Sequence, residues 1–170
     1  KENEAEKELL PELLQILPAT EVYLALGEPA SAMFCWVHCL RIAETHHDVM
    51  AHVQAASFVA YAFSSIGMHA LSATYLRKTE TLAVTSEQEE SLILVERAKS
   101  GAALTAGRFA DAIASCQKTR QQSSAVFALT PTFRVLRVEL LANMLCGNLP
   151  SAWSVADELW TLAEKHDLPQ

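Results

Sequence analysis

Glycine is scarce in this chain, five residues in 170, and alternating β-branched runs are rarer still. Together these absences argue against an all-β architecture and for helices. No stretch approaches eighteen uninterrupted apolar residues, so nothing in the sequence is built to span a membrane. The chain begins at Lys1 without a signal-peptide pattern and reads as a fragment of a longer, intracellular protein, cytoplasmic or nuclear. Positive charge is in deficit as well. The net charge of −7 argues against nucleic acid or an anionic membrane as partner. There is no nucleophile elbow, no glycine-rich phosphate loop and no H-E-x-x-H, so neither an enzyme nor a cofactor is expected.

Cysteine is sparse and badly placed for cross-linking. Of Cys35, Cys39, Cys116 and Cys146, the first two stand four apart on one expected helix, and no C-x-x-C pair occurs. These are read as free thiols in a reducing compartment. His38 lies between Cys35 and Cys39, and the three side chains would fall on adjacent turns as metal ligands do. A helix packed on both sides uses Cys and His more often as core or boundary residues, and no metal is expected. His46 and His47 are read as a helix C-terminus, where a cation is favoured.

What the chain has in quantity is apolar residues, 51% of the total, enough for a folded core. It also has a period. Gly27, Gly67, Gly107 and Gly147 are each forty residues apart, with only Gly101 outside the series. Five positions after each stand Ala32, Ser72, Ala112 and Ala152; sixteen after stand Ala43, Ala83, Ser123 and Ala163. Small residues there let paired helices approach closely. The segments Ile42-Ala43-Glu44-Thr45-His46-His47-Asp48 and Leu162-Ala163-Glu164-Lys165-His166-Asp167 nearly repeat in letters. The chain is read as four copies of a two-helix unit forming one domain over residues 1–170.

The helices follow from local signals. Residues 1–8 are a polar lead-in, and Pro11 and Pro18 interrupt the apolar spacing from Leu9 to Leu26. Pro29 opens a helix to His46. Asp48 caps the next, to Ser65, and Met68 to Val84 follows. Ser86-Glu87-Gln88-Glu89 reads as a capping box for a helix to Ala106. Phe109–Gln122 comes next. Thr130-Pro131 is a cap and first-turn proline for a helix to Cys146, and Leu149–Lys165 is the last. The Ser123–Leu129 connection contains no strong breaker.

Gly107-Arg108-Phe109-Ala110-Asp111-Ala112 resembles the tetratricopeptide-repeat turn: a glycine ending the first helix, an aromatic two later, an alanine three after that. The other copies place Pro29, His69 and Leu149 at the aromatic position, and the proline that usually closes the second helix is absent. With a period of forty rather than thirty-four, the chain resembles the long-repeat branch, as in MalT-type bacterial regulators and anaphase-promoting-complex scaffold subunits. The resemblance implies a right-handed α-solenoid of about four hairpins whose first helices line a concave groove. Counted back from each glycine, the family's ligand-facing positions fall on Gln54, Ser57, Tyr61, Arg97, Arg134 and Arg137, with Leu141, Met144 and Leu145 forming an apolar wall. The lysine- and asparagine-based carboxylate clamp of the family is not present.

These positions imply a non-catalytic scaffold that presents its groove to an acidic peptide or helix of another protein. Glu96 and Glu139 are the alternative partners of the arginines. A sensor segment of a signalling or transcription regulator, holding a small ligand, is the alternative function, and repeats that merely space larger parts are a third. In each second helix, positions five, nine, twelve and sixteen after the glycine face the first helix of the same copy. Positions six and thirteen face the next hairpin. In the last copy these are Trp153 and Trp160, expected to be covered by another repeat or a second chain; burial under the Ser123–Leu129 segment is the rival.

Overall fold

The turns at four glycines and His47 in this molecule are left-handed, and they close the helices before them. The computed structural model describes Tyr23 and residues 26–86, 89–122 and 129–166. These hold seven helices: α1 Pro29–His46, α2 Val49–Ser65, α3 His69–Thr85, α4 Glu89–Thr105, α5 Phe109–Gln122, α6 Leu129–Leu145 and α7 Leu149–Lys165. No strand occurs among the described residues, and the protein is all-α. None of the described helices is long and apolar enough to cross a membrane. The expectations for 1–22 and 123–128 lie outside the described residues.

Gly27, Gly67, Gly107 and Gly147 have φ of 75°, 82°, 72° and 80°. Each turn closes on the same long bond: Glu28 N to Tyr23 O at 2.8 Å, Met68 to Phe63 at 2.8 Å, Arg108 to Ala103 at 2.9 Å, Asn148 to Asn143 at 2.8 Å. The amides of Gly67, Gly107 and Gly147 donate to Ser64, Leu104 and Met144 at 3.0–3.1 Å. This pair of bonds is the Schellman closure, which satisfies carbonyls that the helix end leaves open. A Cβ at any of the four glycines would meet nothing within 4 Å. Torsion, not crowding, therefore selects glycine there.

α1 closes the same way without one. His47 takes φ 54° and ψ 25°, and Asp48 N reaches Ala43 O at 3.2 Å. Asp48 then caps α2, its Oδ1 accepting from Ala51 N at 3.0 Å. One expected start is displaced, and one falls partly outside the described residues. Ser86 sits in helical backbone at the end of α3, its Oγ donating to Ala83 O at 2.8 Å and lying 3.0 Å from Ser91 Oγ. α4 is described from Glu89, and Glu87 and Gln88 of the expected capping box lie outside the described residues. α6 begins at Leu129, so Thr130 is already inside the helix rather than capping it.

The chain divides into two compact units, Lys1–Val95 and Glu96–Gln170, the boundary falling within α4. In the first, Ala32, Trp36, Cys39 and Leu40 of α1 pack with Ala55, Ala56, Val59 and Ala62 of α2. Trp36 stacks on Phe58 with centroids 5.5 Å apart, and Phe63 meets Tyr75 of α3 at 5.5 Å. Val53, Ala83 and Val95 join α2, α3 and the start of α4. Full burial of side chains such as Val59 contributes about 1.5–3 kcal/mol each.

In the second unit Ala103, Ala112 and Ala142 bring α4, α5 and α6 together, three methyl-sized contacts that allow close approach. The positions five, nine and twelve after the glycine are buried in three copies: Ala32, Trp36 and Cys39; Ser72, Leu76 and Thr79; Ala112, Cys116 and Thr119. α7 differs. Ala152 is buried, but Ala156, Leu159 and Ala163 are half-exposed.

Candidate partner-binding surface

In the second unit two buried carboxylates, Glu96 and Glu139, are each engaged by a cation. Glu96, on α4, is buried and receives Lys118 Nζ at 2.7 Å and Lys99 Nζ at 3.2 Å. Burial by itself raises the Glu96 carboxyl, but the hydrogen bonds and charge of the two lysines outweigh it and hold it below the usual carboxylate range. Glu139, on α6, is buried and receives Arg120 Nη1 at 2.9 Å. The Nη2 of Arg120 meets Glu158 of α7 at 2.6 Å and 2.9 Å. Burial opposes the charge on Arg120, yet its bonds to Glu139 and Glu158 raise its pKa. The glutamates offered by the sequence as partners for the groove arginines are thus held by other cations.

Arg97 neighbours Glu96 in sequence, but its guanidinium has no hydrogen bond or ion pair among the described residues; its backbone carbonyl accepts from Ser100 Oγ at 2.7 Å. Burial lowers the pKa of its guanidinium, which still stays charged at neutral pH. Arg134 and Arg137 lie one helical turn apart on α6. Arg134 is half-buried, and its pKa is lowered first by burial and then by the charge of Arg137, which is exposed. Near them Leu141, Met144 and Leu145 are exposed, the apolar wall read from the sequence.

In the first unit Tyr61 is exposed and Gln54 half-buried. Ser57 is buried, and its Oγ has no hydrogen-bond partner among the described residues. It sits in the packing of α2 rather than on an open face. The Cys35–His38–Cys39 trio does not converge on a metal. His38 is exposed and stacks on Phe34 at 6.3 Å, whereas Cys39 is buried, and burial, with Cys35 beside it, pushes its thiol up to about 11. Among the described residues no three His, Cys, Asp or Glu side chains form a metal-holding group.

The end face is open. Trp153 and Trp160 are 80% and 51% exposed, and the rival reading, burial beneath the 123–129 segment, falls on residues outside those described. Trp160 Nε1 donates to Glu164 Oε1 at 2.8 Å. Sequence reading missed the Lys118–Glu96 and Arg120–Glu139–Glu158 links because their members are far apart in the chain. The one signal was Arg120 itself, a charged residue at position thirteen after its glycine.

No family model matches the chain, and a search of the curated proteins finds none similar to it.

Proposed function

We propose that this chain is a non-catalytic protein-interaction module of four two-helix repeats, of the long-repeat tetratricopeptide type, wound as a right-handed solenoid. Four left-handed glycine turns with the same closing bonds, at a spacing of forty residues, support that reading. The partner is another protein that offers a carboxylate-bearing peptide or helix to Arg97, Arg134 and Arg137 of the second unit.

The observation that carries the proposal is Arg97. A guanidinium moved out of water costs free energy unless it is paired, and Arg97 is half-buried with no carboxylate of its own among the described residues. Its planar fork of donors suits bidentate binding of a carboxylate. The test is anisotropy of a labelled, glutamate-rich helical peptide titrated with the chain. Wild type binds, and an Arg97→Glu, Arg137→Glu variant with unchanged helix content binds at least about tenfold more weakly. Binding that survives the double reversal removes the arginines from the site.

A further inference from the structure

In α1 and α5, positions six and thirteen after the repeat glycine meet the following helix, whereas in α3 they are Ala73, which is exposed, and Glu80, which is half-buried. In α1 they are Met33 and Leu40: Leu40 is buried in the cluster to which α2 contributes Ala55, Ala56, Val59 and Ala62, and Met33 packs against it. In α5 they are Ile113 and Arg120: Ile113 packs against the cluster holding Ala142 of α6, and Arg120 bonds Glu139 of α6. In α7 they are Trp153 and Trp160, and both are open to solvent. The seven-residue spacing puts the two rings on one stripe of the helix. Asp157 lies between them on that stripe and Glu164 one turn beyond. Glu158 is held by Arg120, whereas Asp157 has no cation among the described residues.

The chemistry of the stripe differs from that of the covered pairs. Met, Leu and Ile are suited to permanent burial. Tryptophan has an apolar body and a polar edge, tolerates both water and contact, and is enriched where partners meet. The Trp160 indole is already oriented by its bond to Glu164. A second copy is a poor occupant. Two α7 helices packed about a two-fold axis would bring Asp157 of one toward Asp157 of the other.

We propose that the Trp153–Trp160 face of α7 docks an amphipathic helix of a partner protein, with small or aliphatic residues on its apolar stripe and lysine or arginine on its flanks. The apolar stripe matches what α2 sets over α1, and the basic flanks complement Asp157 and Glu164.

The test uses the 170-residue chain and two synthetic helical peptides without tryptophan. Both carry an Ala/Leu stripe; one has lysine flanks, the other glutamate flanks. Trp36 is buried and supplies a constant background, so tryptophan emission reports the end face. The lysine peptide is expected to shift the emission to the blue and to bind at least about tenfold tighter than the glutamate peptide. Trp153→Ala, Trp160→Ala abolishes the shift, and Asp157→Lys, Glu164→Lys reverses the preference with all three tryptophans in place. Should the first variant lose helix content, the second carries the test. Equal binding of the two peptides, binding of neither, or an unchanged preference in the charge variant overturns the proposal. So does a wild-type dimer in sedimentation that is lost in Trp153→Glu, Trp160→Glu, which would give the face to a second copy.

Discussion

At Gly107 the backbone holds φ 72° in open space, and at His47 it holds φ 54° with a side chain attached. A β-branched residue pays most in the left-handed region, so Gly107→Val is expected to destabilise by about 1–3 kcal/mol. An unchanged melting temperature would remove the turn from its role in closing α4. His47→Gly relieves the same strain and is expected to stabilise by about 0.5–1 kcal/mol, read as a higher urea midpoint. The cysteines separate by the same kind of local reasoning. Burial, despite a hydrogen bond from Ser100, pushes the Cys116 thiol up to about 11, and Cys39 stands equally high. Cys146 is exposed. At pH 8 the two buried thiols hold on the order of a thousandth of their population as thiolate. A disulfide reagent should therefore label Cys146 at least about a hundredfold faster than Cys39 or Cys116, as peptide mapping of the labelled chain will show.

Between helices, Glu96 ties α4 to α5 through Lys118. Its carboxyl is held below the ordinary value of 4.5, so the link contributes stability above that value and loses it as pH falls through the folded pKa. Glu96→Gln is expected to cost about 1–2 kcal/mol at pH 7, and the gap from wild type should close on acidification, because the wild-type carboxyl then protonates as well. Urea midpoints followed from pH 7 downward check this; a gap that does not narrow as pH falls points to packing instead of charge. The helices themselves were legible because their signals are local: Pro29, Asp48, Phe109 and Leu149 start elements where proline, capping and turn chemistry say they should. Cap signals leave more open. Ser86 has a hydroxyl that can bond backward to Ala83 as readily as forward, and the sequence does not say which. Ion pairs across 19 to 38 residues leave no local mark, and for that reason Arg120 and its two glutamates were not foreseen.

Over the whole molecule, the candidate site was legible only as far as the repeat carries it. The glycine period located Arg97, Arg134 and Arg137, but burial is a tertiary property, and the position count that found Arg97 also named Ser57, which is buried. The arginines also sit on a chain of net charge −7. An acidic peptide approaching from a distance meets that net charge first and the arginines only at contact. The Debye length is about 30 Å at 0.01 M salt and about 8 Å at 0.15 M, whereas a guanidinium–carboxylate contact spans about 3 Å. Salt therefore acts on the two terms at different concentrations. Raising it from 0.01 to 0.15 M should screen the long-range repulsion and speed association several-fold, with little change in dissociation. Beyond 0.15 M the contact pairs weaken, dissociation accelerates and affinity falls. Stopped-flow association of the glutamate-rich peptide across this range gives the answer. An association rate that falls steadily from the lowest salt would mean that the field at the arginines outweighs the charge of the rest of the chain. A rate and affinity indifferent to salt would mean that no carboxylate reaches them.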